Sequence, residues 1–192
     1  MDQSRVIVIR GDARELLRQL TEAFVLRDTI DKLRLTENVC VLVQDHEKDE
    51  THLRMCHNIV TDEGDKYYAQ LGAGEVPFTV LGMRLGSNWA GGTGKAKTDV
   101  NTFFGVGKGV SSGYPKTNDP DPSNTGALVD ATSWKSDWAT SENNSTAMDE
   151  GAIVDHLTTP TVALTHFQIT PSVTKTSAQT LAVFVNHRAN GV

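Results

Sequence analysis

The sequence predicts a mainly β fold with short helices, in which an antiparallel, sandwich-like body follows an N-terminal strand-helix arm. Three observations carry this expectation. Short β-branched and aromatic runs recur between turn residues, most densely after residue 129. The apolar period changes at Asn38, from helical spacing before it to strand spacing after it. No fixed-period repeat runs through the chain, which argues against a solenoid or a propeller.

The elements follow in order. Val6-Ile7-Val8-Ile9 is a β-branched run ending at Gly11, an edge or added strand so near the terminus. Asp12 stands three before Glu15, the spacing of a capping box. Leu16, Leu17, Leu20 and Phe24 then form one apolar helical stripe, with Arg14 and Arg18 elsewhere on the wheel. A second short helix is expected from Asp28, with Ile30 and Leu33 as its contacts. Residues 1–37 are read as the arm and residues 38–192 as the body.

In the body, the unbroken run Val39–Val43 predicts a strand buried on both faces. Residues 45–50 form a solvated hairpin tip, and Leu53–His57 is the returning strand. Thr61 or Asp62 caps a helix through Tyr67, Tyr68 and Leu71, which Gly72 and Gly74 stop. Phe78–Leu85 is expected as a strand, Gly86–Gly94 as a loop, and Thr98 or Asp99 as the cap of a short helix with Val100, Phe103 and Phe104. A long polar loop follows. Four more strands are expected at Val129–Trp138, Ala152–Val154, Val162–Thr170 and Thr180–Asn186.

Composition narrows the function classes. Of 192 residues, 38% are hydrophobic and 22% charged, a modest apolar supply that suits burial against partners. The net charge of −6 argues against generic nucleic-acid coating. Residues 1–37 balance seven basic against seven acidic side chains, so the whole excess lies in the body. No apolar run approaches a membrane span and no signal peptide is read after Met1, so no membrane partner is expected. Cys40 and Cys56 are expected as buried thiols, although a hairpin could bring them close.

Few side chains are spaced for chemistry. Gly91-Gly92-Thr93-Gly94-Lys95 imitates a phosphate loop, but Trp89 and Ala96 occupy the places of a required Gly and a required hydroxyl. His52 and His57 fall on opposite faces of a strand, while His166 and His187 become neighbours only if their strands pair. Asp119, Asp121 and Asn124 read as a rigid Pro-Asp turn rather than a cation loop. Asp149 and Glu150 would point apart on a strand. No nucleophile elbow is present. No catalytic residue, cofactor or metal is therefore expected, and the chain reads as a non-enzyme.

From His57 onward the chain resembles a module of tailed-bacteriophage virion proteins, found in head-decoration and in tail or fibre proteins. The resemblance rests on His57–Asp65, Tyr67-Tyr68-Ala69, Val80–Met83, Ala96–Asp99, Ser112–Pro115, Trp134, Asp149–Ala152 and Leu181–Asn186. It departs at Ser87-Asn88-Trp89, which enlarges a loop that such modules keep tight, and residues 1–56 lie largely outside it. The resemblance implies a structural protein of the virion, assembled in the bacterial cytoplasm as a homo-oligomer, with a trimer as the guess. The leading expectation is a cement protein on the phage head that binds the major capsid protein. Val6, Ile7, Val8, Ile9, Leu16, Leu20, Phe24, Trp89 and Tyr114 are the expected capsid or subunit contacts. A tail, fibre or connector component is the alternative. So is a glycan-binding module on a host surface, using Trp89, Tyr114 and the Gly-rich loop as an aromatic platform.

Overall fold

A computed structural model describes residues 6–10, 39–91, 94–118 and 131–188. Its strands are β1 (Val6–Arg10), β2 (Val39–Asp45), β3 (Glu50–Cys56), β4 (Asn58–Val60), β5 (Gly82–Ser87), β6 (Thr102–Phe103), β7 (Lys108–Gly109), β8 (Lys116–Asn118), β9 (Ala131–Trp138), β10 (Ala147–Val154), β11 (Ala163–Thr174) and β12 (Gln179–Arg188). One α-helix is described, α1 (Asp62–Gly72). The strands form two six-stranded sheets. The first runs β1-β3-β2-β12-β9-β8; the second runs β4-β11-β10-β5-β6, with β7 also paired to β5. All the pairings are antiparallel. The expected mainly β, sandwich-like body is what the chain builds.

The core lies between the sheets. Val39, Val41 and Val43 of β2, Leu181, Val183 and Val185 of β12, and Trp134 and Trp138 of β9 face Met83 and Leu85 of β5, Ile153 of β10, and Leu164, Phe167 and Ile169 of β11. Each of these side chains is at most 4% exposed. Burial of a large aliphatic or aromatic side chain contributes roughly 1.5–3 kcal/mol, so this cluster dominates the stability of the sandwich. In β2 Leu42 also is buried, on the outward face, as the unbroken apolar run suggested.

The hairpin tip forms as expected. The Asp45 carboxylate accepts from the Glu47 and Lys48 N–H groups, at 3.1 Å each, and closes the turn. Helix α1 also begins where its cap predicts. Thr61 Oγ1 accepts from the Gly64 N–H at 2.9 Å, and Gly74 follows the helix with a φ of 76°. Acidic Asp62, Glu63 and Asp65 fill the positive first turn.

Several elements differ from expectation. The strand foreseen at Phe78–Leu85 begins only at Gly82. Pro77 donates no hydrogen bond, and Phe78 instead turns its ring onto Tyr67 at 5.2 Å. The short helix expected after Asp99 is absent: residues 102–103 are strand β6. Its N–H groups are captured elsewhere, because Glu150 accepts from those of Asn101 and Thr102. Strands β10 and β11 are longer than the apolar runs that announce them, and β11 continues through a cis Thr170–Pro171 bond. Strand β1 pairs with β3 of its own chain, Val6 against Arg54 and Arg10 against Glu50. It is an edge strand of the body's first sheet. The expected helices at Asp12 and Asp28, with Leu16, Leu20 and Phe24, lie outside the described residues.

The segment 106–111 ties the two sheets together along one side. Lys108 and Gly109 pair with β5, while the Lys108 and Gly109 carbonyls accept from Ser136 Oγ of β9. Trp138 Nε1 donates to the Val106 carbonyl at 3.0 Å. Only a glycine fits opposite this tie. A Cβ on Gly82 would stand 1.9 Å from the Lys108 carbonyl oxygen, a backbone atom that cannot swing aside. Gly82→Ala is expected to expel β7 and to cost about 1–3 kcal/mol in urea unfolding. Loss of amide protection at residues 108–110 would accompany it; unchanged protection there would contradict this assignment.

Candidate functional site

The densest grouping of ionisable side chains sits on the outward face of the second sheet. Side chains alternate along a strand, so the residues between the core positions point away from the first sheet: Arg84 on β5, Glu150 and Ala152 on β10, and His166 on β11. Register places them side by side, Ala152 opposite both Arg84 and His166, and Glu150 opposite Gly86. Trp89 and the chain from Asp99 to Phe103 cover them, with Val100 and Phe103 against Ala152, Val154 and Ala163. The result is a second buried layer, polar where the first is apolar.

Glu150 is its centre and is wholly buried. Its Oε1 accepts from the Asn101 N–H at 2.6 Å and the Thr102 N–H at 3.2 Å. Its Oε2 accepts from Asn101 Nδ2 at 2.7 Å and from His166 Nε2 at 2.8 Å. His166 is also wholly buried, and the Trp89 indole lies over its ring at 4.7 Å between centroids. Arg84 Nε pairs with Asp99 at 3.0 Å, and its Nη1 donates to the Leu157 and Thr158 carbonyls at 2.8 and 2.7 Å. The guanidinium rests 3.5 Å over the Phe103 ring. Burial holds the Asp99 carboxyl above its usual range, although the Val100 N–H and Arg84 pull it down.

This arrangement orients loops. The acid and the base that meet in it, Glu150 and His166, have no exposed surface on which a substrate could be met. Two similar clasps lie elsewhere. Lys175, also fully buried, donates to the Thr140 carbonyl at 3.0 Å and to Asn144 Oδ1 at 2.6 Å. Asp155 accepts from Thr161 Oγ1 and N–H at 2.5 and 3.0 Å, from the Val162 N–H at 3.2 Å and from His156 at 2.8 Å. Desolvation opposes ionisation of Asp155, but these bonds outweigh it and hold the carboxyl down at about 2.

The expected site residues scatter over this framework. Val6–Ile9 form β1, and their side chains lie outside the described residues, as do Leu16, Leu20 and Phe24. Trp89 opens a short 3-10 turn; it is half-buried on His166, with its N–H bonded to Asp149 Oδ1 at 3.1 Å. Tyr114 packs edge-on against Phe184 at 6.2 Å, on the outward face of the first sheet, with Lys116 over its ring. The two aromatics therefore stand on opposite outer faces, and the structure does not bring them together as one platform. Gly92 and Thr93 of the Gly-rich loop lie outside the described residues.

The remaining pairs resolve simply. Asp149 and Glu150 point apart, as their adjacency on a strand required: Asp149 reaches Trp89, Glu150 reaches His166. His166 and His187 are not neighbours, since β11 and β12 belong to different sheets. His187 instead meets Tyr68 Oη of α1 at 2.5 Å. Cys40 and Cys56 carry thiols and no disulfide. Val39 opposes Cys56 and Cys40 opposes Met55, so the two sulfurs project to opposite faces of the hairpin. Among the described residues no three His, Cys, Asp or Glu side chains gather to hold a metal ion, and no helix is long and apolar enough to cross a membrane.

The sequence signal for the buried polar layer was faint. Glu150 stands before an apolar Gly-Ala-Ile-Val run and His166 within Ala-Leu-Thr-His-Phe. A charge inside such a strand marks a buried partner only once the register is known. Comparison of the chain with protein-family models, with curated proteins and with solved structures found no match in any of the three.

Proposed function

We propose that this chain is a non-enzymatic structural protein of a tailed-phage virion, a cement protein that binds the outer surface of the head. The observation that carries the reading is the sealing of the clustered ionisable groups. Glu150, His166 and Lys175 are wholly buried and Arg84 is 4% exposed, and each is bonded to a loop or to a neighbouring strand. Polar groups used this way rigidify a scaffold. Apolar side chains meanwhile reach solvent at the end of α1, where Leu71 is 49% and Val76 92% exposed. A rigid body with apolar loop tips suits repeated docking on a lattice, where many weak contacts add.

The phage resemblance supplies the particle. The residues that carry it sit on the sandwich framework: His57–Asp65 run through β4 into α1, Trp134 lies in β9, Asp149–Ala152 in β10 and Leu181–Asn186 in β12. The partners in this reading are the major capsid protein and further copies of the chain, a trimer being the simplest. No cofactor or nucleic acid is required. By bridging adjacent capsid subunits, the protein opposes the outward pressure of packaged DNA.

Selective removal from purified heads is expected to lower the temperature at which they release DNA, and adding the protein back should restore it. Stripped heads as resistant as intact ones would reject the proposal. Counting copies per virion separates the tail alternative: many over the head surface support a cement protein, a few at one vertex a tail or connector.

A further inference from the structure

We propose that Lys175 and Asn144 form an intramolecular isopeptide bond, in which Lys175 Nζ displaces the side-chain nitrogen of Asn144. Backbone register brings the two together. Ala147 pairs with Thr174 at the last rung of the β10–β11 ladder, and just beyond it the Ser145 N–H donates to the Lys175 carbonyl at 2.9 Å. Residues 31 apart in the chain are thus held side by side at the open end of a hairpin. Asn143 and Ser145 both take positive φ, 50° and 68°, so the turn that carries Asn144 follows a tightly specified path.

The side chains meet as nucleophile and electrophile. Lys175 has no exposed surface. Its Nζ donates to the Thr140 carbonyl at 3.0 Å, to Asn144 Oδ1 at 2.6 Å and to the Thr176 carbonyl at 3.3 Å, all neutral oxygens. Glu142, the acid whose charge reaches it, is bonded instead to Lys108 Nζ and to the Ala139 N–H. A buried ammonium without a bonded carboxylate is costly, whereas a desolvated neutral amine is a nucleophile. Burial accordingly holds the Lys175 ammonium below its ordinary range, although the charge of Glu142 pulls the other way. With a C=O bond of about 1.2 Å, Nζ stands no more than about 3.8 Å from Asn144 Cγ. That is close to the separation from which such additions proceed.

The carboxamide is also turned the right way. Asn144 Nδ2 donates to the Thr140 carbonyl at 2.8 Å, the same oxygen that accepts from Lys175 Nζ. This bond distinguishes the amide nitrogen from its oxygen and sets the leaving nitrogen beside the attacking one. In the reaction Nζ gives up a proton and its lone pair forms the Nζ–Cγ bond. The Cγ–Nδ2 bond then breaks. One proton stays on the new amide, and the two shed by Nζ depart on Nδ2 as ammonium, so no oxidant or other reactant is consumed. The product closes the free end of the β10–β11 hairpin covalently, where the ladder alone would fray, and it does so whatever particle the protein serves.

Mass spectrometry of the full chain, folded, then denatured and digested with trypsin, tests the bond. Trypsin should pass the acylated Lys175, so residues 136–188 are expected as one peptide, lighter than their sequence by one ammonia, about 17 Da. Release of 176–188 from the bulk of the protein would overturn the proposal. So would a 136–188 peptide of full mass, which would be a missed cleavage at a free lysine. An ammonia-light 136–175 peptide would place the loss in a cyclised asparagine and overturn it equally. Asn144→Ala should restore cleavage after Lys175, and Lys175→Arg should release 176–188 with no loss of ammonia from either peptide. A variant that stays linked would count against the pair. Because the bond is read first on the unaltered chain, the outcome does not depend on either variant folding.

Discussion

Glu150→Ala is expected to destabilise the protein by about 3–5 kcal/mol, the usual cost of removing one partner from a buried charged network. The carboxylate accepts four hydrogen bonds, two of them from backbone N–H groups that have lost any chance of helical partners. Alanine leaves those N–H groups, the Asn101 amide and His166 Nε2 facing an apolar void in the outer layer. The loss should be local before it is global. Residues 99–103 would exchange their amide hydrogens faster, and Trp89, stacked on His166, would change its fluorescence. Glu150→Gln keeps the volume and one acceptor oxygen, and is expected to cost roughly 1–2 kcal/mol. Urea unfolding followed by circular dichroism gives both numbers. A cost below about 1 kcal/mol for the alanine variant would mean that water repairs the site, and that the layer is not sealed.

That network shows where the sequence was readable and where it was not. Local signals needed no partner to be interpreted. The Thr61 cap, the Asp45 turn and the unbroken Val39–Val43 run each resolve within a few residues, and each forms as expected. Failures arose where a distant side chain outbid the local preference. Asp99 looked like a helix cap until Arg84 claimed its carboxylate and Glu150 claimed the N–H groups beyond it. His166 and His187 looked pairable until the strand order set them in separate sheets. The buried polar layer was illegible for the same reason, because Glu150 and His166 meet through register rather than spacing. Trp89 was read as a contact residue of the Gly-rich loop, and its half-buried place on His166 depends on that same register.

Acid is expected to weaken the fold in two separate steps, and His187 owns the first. Tyr68 lies beside it, and burial pushes the phenol above its ordinary range, so the hydroxyl stays protonated and donates to His187 Nδ1. A charged ring would need a proton on that same nitrogen. His187 Nε2 is buried with no hydrogen-bond partner to help carry the charge. Burial accordingly holds the imidazole down at about 4, against 6.5 in the unfolded chain. Between those values the unfolded chain binds a proton that the folded chain refuses, so stability rises with pH across the window and is lost as pH falls. A shift of this size corresponds to about 3 kcal/mol by pH 4. Asp155 owns the second step. Its carboxyl falls from 3.8 to about 2 on folding, so its contribution is complete above 3.8 and disappears toward pH 2, roughly 2 kcal/mol more. His187→Gln, which can still accept from Tyr68, should flatten the profile between pH 6.5 and 4 while leaving the lower step in place. Unfolding free energies measured across that range for both proteins decide the matter: parallel curves would show that His187 takes up its proton in the folded state, and that the Tyr68 contact does not exclude it.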